Sequence, residues 1–101
     1  MDRPDFSKLE DLRKHMMLSV SDVAKLYGVS RTTYYGWMKG KPMRKRSQDR
    51  VNMIVRYLLD ILVTHDWPSA EHRVLTAKSR FAALCDLIKE LHHASLKKQN
   101  Q

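Results

Sequence analysis

Two short amphipathic stretches with a single glycine between them constrain this chain more than any other feature. Residues 19 to 40 read SVSDVAKLYGVSRTTYYGWMKG. Ser19 sits where an N-cap belongs, with Asp22 three residues on near the positive end of the helix. A helix over about 20–27 then turns Val23, Ala24, Leu26 and Tyr27 inward, and Gly28 ends it by accepting a left-handed backbone. Val29 follows to plug the gap, and Ser30 is a second N-cap. A further helix over about 31–39 ends at Gly40, and Pro42 forbids its continuation. The small Ala24 lets the two helices cross closely.

The rest of the chain repeats the helical period. Phe6, Leu9, Leu12 and Met16 mark a helix over about 5–16. A basic loop, residues 40–46, leads to a helix over about 47–65 with Ser47 as its expected cap. Its apolar residues cover more than one face, so it must bury two sides. Pro68 breaks the chain after it. One long helix is expected over about 69–94, with Ala70, Val74, Ala77, Phe81, Leu84, Ile88 and Leu91 alternating steps of four and three. Gly and Pro number only three each, which suits helices. The expected fold is therefore all-α: a four-helix helix-turn-helix domain over 1–65, a C-terminal packing or dimerisation helix over 66–94, and a frayed polar tail over 95–101.

Charge points to a partner. Six of the eight net positive charges fall in residues 31–50. Such a patch is either a solvated surface run or a footprint for a polyanion. One cysteine, Cys85, permits no intramolecular disulfide and no zinc finger. The start of the chain has no apolar core of a signal peptide, and the apolar run 51–63 is too short to span a bilayer. Cys85 with His92 and His93 falls short of the three or four converging ligands of a metal site. Neither Asp60 with Asp66 nor Asp86 with Glu90 is spaced as a catalytic pair. No enzyme, cofactor, metal, membrane or small-molecule ligand is expected.

At 100° per residue, Thr33, Tyr34 and Trp37 of the second motif helix share an inner side, while Arg31, Thr32, Tyr35, Gly36 and Lys39 lie opposite. Two explanations of Gly36 stay open. A bare backbone on the outer side lets a DNA groove approach, or the glycine relieves crowding among its aromatic neighbours. Arg31 suits either a bidentate contact to guanine or a phosphate clamp. Lys39, Lys41, Arg44, Lys45 and Arg46 would neutralise flanking phosphates, and the helix starts at Ser19 and Ser30 favour anions.

Residues 18–41, LSVSDVAKLYGVSRTTYYGWMKGK, resemble the phage repressor and Cro type of helix-turn-helix protein, the Xre-like group. Ser19, Val23, Ala24, Gly28, Val29, Ser30 and Gly40 fall in its register. The resemblance implies that Arg31, Thr32, Tyr35 and Gly36 face base edges and that Ser19 contacts a phosphate. The group often has Gln one residue after the cap, where this chain has Val20. It often has Glu-Asn or Glu-Arg before the closing glycine, where this chain has Met38-Lys39.

The implied activity is sequence-specific binding of double-stranded DNA by a homodimeric transcriptional regulator, most simply a repressor on a two-fold operator. The implied setting is the cytoplasm of a bacterial or phage-infected cell. Leu84, Ile88 and Leu91 are the candidate dimerisation residues, unless the C-terminal helix closes the monomer core instead. Two other roles stay open. One is a recombination or DNA-packaging accessory that forms larger oligomers; the other is an antitoxin-like interaction module.

Overall fold

The computed structural model describes residues 5–99, and within them the chain is all-helical, with six helices: α1 (Phe6–His15), α2 (Val20–Tyr27), α3 (Arg31–Met38), α4 (Lys45–Thr64), α5 (Ala70–Arg73) and α6 (Ala77–Gln99). By contact density the chain forms two compact units, one ending at Arg56 and the other beginning at Tyr57.

In the first unit, α1 is capped by Asp5, whose carboxylate accepts from the Ser7 N–H at 3.0 Å. The helix stops at a left-handed residue, Met17 (φ 61°), and the Leu18 N–H turns back to the Arg13 carbonyl at 3.1 Å. That bond satisfies one of the carbonyls a helix end leaves open. Leu9, Met16, Leu18, Val23, Leu26, Tyr27, Tyr34, Trp37, Met43, Val51 and Ile54 are all buried. Burying each of the larger side chains contributes about 1.5–3 kcal/mol.

Helix α4 starts two residues earlier than its sequence suggests. Ser47 lies inside the first turn, and the Gln48 side-chain amide donates to the Met43 carbonyl, just before the helix, at 2.9 Å.

In the second unit the expected single helix is two. Val74 is 84% exposed in the turn between α5 and α6 and does not belong to a buried seam. Arg80 fixes that turn, donating to the His72 carbonyl at 2.9 Å and the Leu75 carbonyl at 2.8 Å. Thr76 caps α6 by accepting from the Ser79 N–H at 3.1 Å. Trp67 is buried and lies 4.1 Å, centroid to centroid, from the His72 ring.

Residues 95–99, expected as a polar tail, continue α6 as helix; residues 100 and 101 lie outside the described range. Leu84 is fully buried within the chain, so it is a core residue and cannot also face a second copy. Ile88 and Leu91 are half-buried.

Candidate nucleic-acid interface

Helices α2 and α3 are set by local chemistry. The Ser19 hydroxyl accepts from the Asp22 N–H at 3.0 Å, and the Ser30 hydroxyl accepts from the Thr33 N–H at 3.1 Å. Each bond satisfies one orphan donor of a helix start. Between them Gly28 takes φ 74°, a conformation that costs other L-residues about 1–2 kcal/mol. The Val29 N–H then closes back on the Ala24 carbonyl at 3.0 Å.

Helix α3 is held from beneath. Tyr34 is fully buried, with ring centroids 5.1 Å from Phe6, 6.3 Å from Tyr27 and 6.0 Å from Trp37. Its hydroxyl donates to the Glu10 carboxylate. Glu10 also receives two bonds from the Arg13 guanidinium, at 2.8 and 2.9 Å, and Arg13 donates onward to the Leu18 carbonyl at 2.9 Å. This chain of bonds ties α3 through α1 to the start of α2. The Arg13 guanidinium holds the Glu10 carboxyl below its usual range against the opposing effect of burial. Burial, reinforced by the Glu10 hydrogen bond, pushes the Tyr34 phenol up.

The opposite face of α3 is open. Arg31, Thr32, Tyr35 and Lys39 are exposed, and Arg31 has no hydrogen-bond or ion-pair partner among the described residues. Two neighbours differ from expectation. Thr33 is exposed rather than inward, because its hydroxyl accepts from that of Ser30 at the helix start, at 3.1 Å. Gly36 is buried rather than bare, because the Lys41 side chain lies over it. An open backbone does not describe its surroundings.

Around this face lie the expected cations. Lys39, Lys41, Arg44, Lys45 and Arg46 are exposed, and Lys45 pairs with Asp49 at 3.0 Å in an open i,i+4 bridge. Arg44 and Arg46 line a hollow of about 400 Å³ with Tyr27, Gly28, Ser47 and Arg50. Three guanidiniums and no carboxylate line this hollow. Arg50 is the member that the sequence did not single out. Its Nε donates to the Leu26 carbonyl at 3.0 Å, across 24 positions, which fixes the side chain over Gly28. Only its place in the charge run could have suggested it.

Residues 9–58 match a family model described as helix-turn-helix. This half of the chain is an Xre/Cro-like helix-turn-helix domain. The helix-turn-helix match runs from α1 into α4 and includes both capped helices, the Gly28 turn and the open face of α3. Membership implies binding to double-stranded DNA, in a family typical of transcriptional regulators. Comparison with curated proteins and with solved structures returned no match. No helix among the described residues is long and apolar enough to cross a membrane.

Proposed function

We propose that this protein is a homodimeric transcriptional repressor that reads a two-fold operator with helix α3. The observation that carries the reading is the two-sidedness of that helix. Tyr34 and Trp37 are buried beneath it, while Arg31, Thr32 and Tyr35 stand in water. A helix so anchored fits the major groove, whose donor and acceptor pattern distinguishes every base pair.

Arg31, at the N-terminal end of α3, pairs with guanine O6 and N7, Thr32 meets a thymine methyl or an acceptor, and Tyr35 reaches a base or a phosphate. Lys39, Arg44, Lys45, Arg46 and Arg50 meet the backbone, as do the helix starts at Ser19 and Ser30. Gly36, covered by Lys41, makes no direct base contact. One such helix reads few base pairs, so two copies are needed for a specific site. Leu59 and Val63 of α4 are exposed, and with Ile88 and Leu91 they are the apolar residues offered for that association.

Selection of bound sequences from random duplex DNA tests the proposal. A recovered motif with two-fold symmetry is the expected result. Recovery of unselected sequences, or a mass of eight copies or more in solution, overturns the repressor reading; the latter favours an assembling accessory.

A further inference from the structure

Gly36 does not need its backbone freedom, since it is an ordinary helical residue of α3. What it provides is the missing side chain. A Cβ at this position would stand 3.1 Å from Cδ of Lys41, 3.8 Å from its Cγ and 3.9 Å from its Cβ. The lysine stem therefore runs along the glycine over three carbons. The backbone adds to this: the Lys41 N–H donates to the Gly36 carbonyl at 3.0 Å. Beside the stem is a hollow of about 180 Å³, lined also by Thr32, Thr33, Trp37 and Pro42. Thr32 and Thr33 belong to the exposed surface of α3, next to Arg31.

A lysine that only neutralises a phosphate needs no such seat, because a point charge on a flexible stem finds the backbone from many rotamers. A stem laid in place before binding loses less rotamer freedom when it docks. We propose that Lys41, though it lies in the loop after α3, is a specificity-determining residue that donates to a base edge bearing an acceptor in the major groove, guanine O6/N7 or thymine O4, from the seat that Gly36 provides. This rests on the DNA-reading role of α3 above.

The test compares the motifs recovered from random duplex DNA by the full chain, Lys41→Met, Lys39→Met and Gly36→Ala. Lys41→Met is expected to blur one position of each half-site, lowering its base preference at least about fivefold, and to leave the other positions sharp. Lys39→Met is expected to weaken binding evenly across sequences. In Gly36→Ala the new methyl stands 3.1 Å from Cδ of Lys41 and forces the stem to give by a few tenths of an ångström, so the same position is expected to blur while the chain stays folded. An even loss of affinity in Lys41→Met, with the motif intact, overturns this proposal alone. An unchanged motif in Gly36→Ala overturns the seat. A parent chain that selects no motif overturns the DNA-reading role and this proposal with it.

Discussion

Two buried tyrosines in the helix-turn-helix domain behave oppositely. The Tyr34 hydroxyl donates to a carboxylate that Arg13 already holds. The Tyr27 hydroxyl is buried and has no hydrogen-bond partner among the described residues. Hydrogen bonds to charged groups contribute about 1.5–3 kcal/mol, whereas an unsatisfied buried group costs about 1–3. Tyr34→Phe should therefore destabilise the fold by about 1–2 kcal/mol in urea titration, and Tyr27→Phe should leave it unchanged or more stable. The same cluster sets an acid response. Because the fold lowers the Glu10 carboxyl below its unfolded value, its contribution is present above the ordinary carboxylate range and is lost as pH falls through the lowered one. The stability gap between the parent and Glu10→Gln should be open at pH 7 and closed well below about pH 4. Neither contact was legible from sequence. Glu10 and Tyr34 lie 24 positions apart, as do Arg50 and Leu26, and no local pattern records such pairs.

Among the elements, caps separate what local sequence determines from what it does not. Ser19 and Ser30 were legible because each stands just before an apolar stripe and reaches a backbone N–H only three residues away. Ser47 looked equivalent, but α4 begins two residues upstream of the serine, which lies inside its first turn. Ser19→Ala and Ser30→Ala should each cost about 1 kcal/mol, and Ser47→Ala should stay within about 0.5 kcal/mol, all read from urea midpoints. The division of the last helix escaped for a related reason. Val74 and Ala77 continue a seven-residue alternation on paper, yet Arg80 gathers the carbonyls of His72 and Leu75 and turns the chain between them. Periodicity registers apolar spacing and is blind to a guanidinium that collects carbonyls. The outer face of α3 was legible in part for the complementary reason: Arg31, Thr32, Tyr35 and Lys39 follow from the helical angle alone, whereas the exposed Thr33 and the loop lysine folded over Gly36 had to be seen.

For the whole molecule, charge placement and apolar exposure lead to separate measurements. Neutralising roughly three to five phosphates per subunit gives a log–log slope of affinity on salt of about −3 to −5 per subunit. Binding that barely changes between about 50 and 200 mM salt would rule out the cationic surface as the source of affinity. Leu84→Ala should lower stability by about 2–5 kcal/mol through the cavity it leaves. If the proposed homodimer forms through this face, charged replacements at Ile88 or Leu91 should reduce the mass seen by light scattering without unfolding the chain, and an unchanged mass would count against that interface.

Met17 closes α1 in a left-handed backbone without being a glycine. Branching at Cβ makes that conformation still harder to hold. A saturation library at codon 17, sorted for folded protein, should therefore enrich Gly and Asn and deplete Val, Ile and Thr, whatever their hydrophobicity.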